Sequence, residues 1–127
     1  MEGVGTLYNQ VTMVGRLTRD AETTQLPNEH KTPRLRFTLA VDRSYEVGGE
    51  TPTDFWPVEI LGEFVPRLAP HLLKGRLVLV AGAAQINERR DEQGQYRVFP
   101  CINARQVRFL DRRPNGRADT EVPEDEE

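Results

Sequence analysis

Residues 51–62 read TPTDFWPVEILG and place Phe55 beside Trp56, the one tryptophan of the chain. Adjacent residues of a strand point to opposite faces, so the two rings meet different surroundings. Alternation through Val58 and Ile60 predicts a strand over 53–61 with Trp56, Val58 and Ile60 turned inward. Phe55, Glu59 and Leu61 then share the outward face. Trp56 is expected to be buried, in a barrel core or against a neighbouring subunit, and Phe55 to be a surface ring.

Upstream, QVTMVGRLT (10–18) alternates, with Val11, Met13 and Leu17 on one face and Thr12, Arg16 and Thr18 on the other. The polar stretch DAETTQLPNEHKTP (20–33) reads as a long connection with Pro27 and Asn28 as turn formers. RLRFTLAVDRSY (34–45) is a second alternating strand, Leu35, Phe37, Leu39 and Val41 inward and Arg34, Arg36, Thr38 and Ala40 outward. EVGGETP (46–52) is a hairpin connection carrying two glycines. Downstream, GEFVPRLAPHLLKG (62–75) is the helix candidate. Phe64, Leu68 and Leu72 recur every four residues, and Lys74–Gly75 makes a C-terminal stop. Pro66 fits a first turn, whereas Pro70 inside a helix costs about 3 kcal/mol. A short or kinked helix is predicted.

RLVLVAGAAQIN (76–87) is apolar on both faces as far as Ala84. Such a strand is covered on both sides, by core on one and by a partner element or subunit on the other. ERRDEQGQ (88–95) reads as a hairpin loop and YRVFPCINARQVRFL (96–110) as a last strand, in which Pro100 implies an edge position or a bulge. Five strands with one helix between the third and fourth form the layout of an OB-fold. This is an all-β, five-stranded Greek-key barrel with one short helix, whose usual ligands are oligonucleotides and oligosaccharides.

A chain of 127 residues supports one domain. The barrel is expected over 1–110, and 111–127, poor in large apolar residues, as a disordered acidic tail. A lone Cys101 forms no intramolecular disulfide and has no second cysteine for a zinc knuckle. The N-terminus has no basic start followed by an apolar run, and no stretch nears the roughly 18 apolar residues of a membrane span. A cytoplasmic protein is expected. The net charge of −3 is uneven: the last ten residues hold six acids, and the remainder has 17 basic against 14 acidic side chains. Only Lys31 and Lys74 are lysines, and arginine suits phosphate forks and stacking on bases.

No catalytic set is visible. His30 and His71 lack metal-pair spacing, Cys101 beside Pro100 reads as a small core residue, and Asp20 and Glu22 read as turn caps. Asp91 and Glu92 belong to a DEQG turn, and no Gly-rich loop opens a helix as phosphate cradles require. Neither an enzyme, a cofactor nor a metal site is predicted.

NQVTMVGRLTRD, RFTLAVDRSY, TDFWPVEILGEF, LLKGRLVLVAG and ARQVRFL, in this order and spacing, resemble the bacterial single-stranded DNA-binding protein family from about Asn9 to Leu110. The resemblance implies a barrel that binds single-stranded DNA without strong sequence preference in replication, repair or recombination. It also implies self-association, usually a homotetramer, with a dimer possible. Bases stack on aromatic rings while basic residues track the phosphates. Tyr45 and Phe55 carry over as platforms, and Arg16, Arg34, Arg36, Arg43 and Lys74 are the candidate phosphate contacts.

The sequence departs from the family at several positions. Leu61 stands where a Trp or Phe is usual, and Arg89 where the last hairpin has a Trp or Tyr, although its guanidinium plane still stacks on a base. Glu63, Ala83 and Asn87 occupy positions that are often basic. Glu59 replaces an aliphatic residue, and its parity with Phe55 aims a carboxylate at the groove, which opposes phosphate binding. Family tails end on an apolar Pro-Phe tip that docks replication and repair enzymes; this chain ends VPEDEE, so such recruitment is not expected. The alternative reading is an OB-fold protein-interaction or structural subunit with an eroded DNA surface.

Overall fold

The computed structural model describes residues 7–111, and the expected acidic tail from 112 onward lies outside the described residues. The alternating stretches form strands β1 (Val11–Leu17), β3 (Pro33–Asp42), β4 (Thr53–Leu61), β5 (Leu77–Arg90) and β6 (Tyr96–Phe109). A short sixth strand, β2 (Glu22–Gln25), lies within the stretch read as a connection and pairs with β3 from Glu22↔Arg36 to Gln25↔Pro33. It is exposed throughout, so no apolar alternation announced it. The turn after it forms on Asn28, whose carbonyl accepts from the Lys31 N–H and whose side chain accepts from Thr32 N–H.

The two prolines explain the helix. The segment splits into α1 (Val65–Leu68) and a 3-10 turn (Ala69–His71), each with a proline in its opening positions. There a missing N–H costs nothing, because the first donors of a helix have no internal partner. Leu68 and Leu72 are fully buried, as their four-residue spacing predicts.

Strand order is β1-β5-β6-β4-β3-β2, and β1 returns to pair with β3 at Arg16↔Ala40 and Leu17↔Leu39. That second pairing closes the barrel; among the described residues the only parallel contact joins β4 to β6 at Val58↔Ile102 and Glu59↔Asn103. Closure brings backbones so near that a Cβ on Gly15 would collide with the Ala40 carbonyl oxygen. Leu35, Leu39, Val58, Ile60, Val80 and Ile102 fill the interior.

Three expectations are adjusted. Trp56 does share the inward face, opposite Leu39, but is only half-buried, since it packs at the margin of the core near the hairpin end of β4. The bulge in the last hairpin falls not at Pro100 but at Arg105, where pairing shifts between Ala81↔Gln106 and Gly82↔Ala104. Pro100 lies opposite Ile86, in a part of β6 paired with β5 alone, so the edge half of that expectation applies. The outward residues Leu77, Leu79 and Ala81 of β5 are half-buried within the single chain.

Candidate nucleic-acid interface

Cross-strand register sorts the outward side chains into rows. One row runs Arg16, Ala40, Phe55 across β1, β3 and β4. A second, two positions along, contains Thr38 and Pro57. A third runs Glu22, Arg36, Glu59, Asn103 across β2, β3, β4 and β6. The fourth holds Thr24, Arg34 and Leu61. Aromatic and acidic residues predicted to share a face do so, at opposite ends of it.

At the first end Phe55 is 63% exposed, with the small Ala40 beside it. Tyr45, 52% exposed, lies beyond β3, which stops at Asp42 rather than reaching 45. Arg43 joins the Asp54 carboxylate through two bonds, Nε to Oδ2 and Nη2 to Oδ1, both 2.9 Å. Its Nη1 donates to the Tyr45 hydroxyl at 2.6 Å. The hydrogen bonds from Arg43 hold the Asp54 carboxyl below its ordinary range, and those to Asp54 and then Tyr45 raise Arg43 above its own. Each of the three Arg43 nitrogens thus has a partner within the protein. Arg16 donates from Nη1 to the Gly75 carbonyl at 2.8 Å.

The other end is a groove of about 620 Å³ between the outward face of β3 and β4 and the arm formed by the β5–β6 hairpin. Its lining carries four arginines, Arg19, Arg34, Arg36 and Arg89, and four carboxylates, Asp20, Glu22, Glu59 and Glu88. Arg34 Nε lies 2.6 Å from Glu59 Oε2, both side chains mostly covered. Arg36 has Glu22 and Glu59 directly opposite it on its two neighbouring strands. The groove is formally neutral. The carboxylate that parity aims at this face is absorbed by an arginine expected to meet phosphate.

Arg89, expected in a loop, belongs to β5, because the pairing continues to Arg90↔Tyr96 and the turn begins only at Asp91. Its guanidinium carbon lies 4.7 Å from the centre of the Phe99 ring. Asp91 accepts from the Gln95, Gln93 and Arg97 N–H groups, led by Gln95, and these hold its carboxyl below the ordinary range. Arg90 covers Tyr96 at 5.3 Å, and the Tyr96 hydroxyl donates to Glu88. Cys101 is buried beneath the groove, where burial first and the Glu59 charge second push its thiol up.

The structure therefore gathers Arg16 and Phe55 in one row, with Tyr45 near by at the hairpin end, and Arg34, Arg36 and Arg89 in the groove. Lys74 lies before β5 and is not itself in the groove lining, but its backbone N–H is bonded at 2.8 Å to Oδ1 of Asp20, which is. Asp20 thus accepts from the backbone of the turn at Lys74, and both it and Glu22 line the groove. Sequence reasoning missed Arg19 and Phe99 in the lining. Phe99 was accessible by parity: with Ile102 inward, Cys101 and Phe99 fall on the outward side. Arg19 follows the end of β1, beyond the reach of parity.

The model of the single-strand binding protein family matches residues 8–110. The chain belongs to this family. A single-stranded DNA-binding protein of Caldanaerobacter subterraneus subsp. tengcongensis is 36% identical over 121 residues, covering 94% of this chain and 79% of the relative. One from Thermotoga maritima is 33% identical over 127 residues, covering 94% and 89%. Among solved structures, a Plasmodium falciparum SSB complex with ssDNA superposes with a TM-score of 0.72 at 20% identity, over 86% of this chain and all of that one. A small single-stranded DNA-binding protein from Streptomyces coelicolor gives 0.64 at 23% identity, over 82% and 96%. At these identities the superpositions establish the shared OB-fold.

Proposed function

We propose that this protein binds single-stranded DNA without strong sequence specificity, coating and protecting exposed strands in replication, repair or recombination. The observation that carries this reading is Phe55, a large ring standing 63% exposed at the hairpin end of a sheet face. A ring so placed loses nothing on folding and gains roughly 1–3 kcal/mol when a base stacks on it. Tyr45 extends the platform at the hairpin end, and the Arg89–Phe99 stack offers a further flat surface on the arm. Membership of the family, and relatives named for single-stranded DNA binding, support the same ligand. Arg16, Arg36 and Arg89 are the proposed cationic contacts, and Arg34 contributes only when it leaves Glu59. Lys74, outside the groove lining, contributes at long range.

The protein acts as a binding protein without a catalytic step, in the cytoplasm at the nucleoid. Among the described residues no helix is long and apolar enough to cross a membrane. Self-association, as a homotetramer or a dimer, is supported by the half-buried apolar outward residues of β5 alongside Val14, which is 44% exposed. The second reading, an interaction subunit with an eroded DNA surface, is favoured by one observation, the internally neutralised groove. Titration of labelled oligothymidine at low and then moderate salt separates the two. Micromolar or tighter binding at low salt is expected, and its absence would leave the second reading standing.

A further inference from the structure

Tyr45 sits in a connection that is pinned on both sides. Before it, the Arg43 N–H donates to the Pro52 carbonyl at 2.9 Å. After it, Val47 and Glu50 bridge across Gly48 and Gly49, both with positive φ, as a tight two-residue turn requires. The backbone around Tyr45 is fixed, but its ring is half out in water, with the Arg43 guanidinium carbon 5.9 Å from its centre. The same arginine holds the hydroxyl, bonded to Nη1 at 2.6 Å, while Asp54 grips the other two nitrogens of that guanidinium. Asp54 pairs with Val41 in the ladder, so β4 delivers its carboxylate at a fixed place. The planar fork of arginine converts that place into an orientation.

We infer that Asp54 and Arg43 are positioning residues: together they hold the Tyr45 ring in a set orientation, ready for one base, and Arg43 is not a phosphate contact. The inference rests on the single-stranded DNA reading and sharpens it at one residue. Its consequence runs against simple electrostatics. Removing a carboxylate from a DNA-binding protein normally strengthens binding, whereas removing Asp54 frees the ring and weakens it. Ordering one such side chain at an interface corresponds to about a two- to tenfold change in affinity.

The test compares the wild type with Asp54→Ala, Tyr45→Phe, Tyr45→Ala and the Asp54→Ala/Tyr45→Ala double variant. Each is titrated with labelled oligothymidine over a series of salt concentrations, after thermal melting has shown it folded. Asp54→Ala and Tyr45→Phe should each lose about two- to tenfold. Asp54→Ala should cost nothing further once Tyr45 is Ala, and the salt slope should stay as in the wild type. The inference is overturned if Asp54→Ala binds as tightly as the wild type or tighter with a slope steeper by about one, which would make Arg43 a masked phosphate contact. It is equally overturned if Tyr45→Phe binds like the wild type, or if the Asp54 loss persists without the ring. A wild type that fails to bind at all contradicts the DNA-binding reading itself and is recognised before any variant is compared.

Discussion

One sheet face carries two ends built on different physics. At the hairpin end, Phe55 and Tyr45 present rings to solvent, and Arg43 and Asp54 cancel one another while holding the Tyr45 hydroxyl. At the arm end, four arginines and four carboxylates share a groove, and the best-covered pair, Arg34 and Glu59, is already joined. The lesson concerns where free energy is available. An exposed ring meets water and gains by stacking on a base. A guanidinium holding a carboxylate must surrender it before it meets a phosphate, so fewer counterions are released. The hairpin end is therefore the stronger half of the site, although the arm end holds more arginine.

The largest effect comes from breaking the frame that both ends share. Gly15→Ala drives a Cβ into the Ala40 carbonyl oxygen at the barrel closure, beside the row that carries Phe55. Overpacking of this kind costs about 1–3 kcal/mol, a fall in melting temperature of roughly 4–20 °C for a domain of this size. An unchanged melting curve would mean that β1 and β3 part easily. Next in size is the hairpin end itself. Phe55→Ala should weaken oligothymidine binding by roughly five- to 150-fold, the equivalent of one stacked base, with little change in salt slope. Smaller, and opposite in sign, is Glu59→Gln. It releases Arg34, so affinity at low salt should rise a few-fold and the slope should steepen by about one. Arg34→Ala leaves the Glu59 carboxylate unpaired in the groove, so affinity at low salt should fall a few-fold, less than for Phe55→Ala. A loss from Arg34→Ala as large as that from Phe55→Ala would reverse the ranking of the two ends.

The sequence was informative wherever the information is local. Parity alone separated Phe55 from Trp56, placed Glu59 and Leu61 on the face of Phe55, and located strands whose apolar residues alternate. The two prolines foretold a broken helix, although not that each would open its own turn. Register between strands is not local, and the missed features depend on it. Glu22 opposes Arg36 only because the exposed strand β2 pairs where it does, and no apolar alternation marks that strand. Arg34 reads as a phosphate contact until the diagonal to Glu59 is seen. Arg43 and Asp54 are eleven residues apart and meet because the Gly48–Gly49 turn sets the hairpin. Trp56 had the right face, but burial depends on what lies over a residue as well as on the side it faces.

The division of labour between the two ends is tested most directly by a paired titration with oligothymidine. One protein carries Tyr45→Ala with Phe55→Ala, and the other carries Arg34→Ala with Glu59→Ala, a change that removes one charge of each sign from the groove. The account predicts that the first loses at least tens-fold in affinity, as expected for two stacked bases at roughly 1–3 kcal/mol each, while the second stays within about threefold of the wild type, the range of a neutral exchange of one ion pair. A first protein that still binds like the wild type, beside a second that does not, would contradict it.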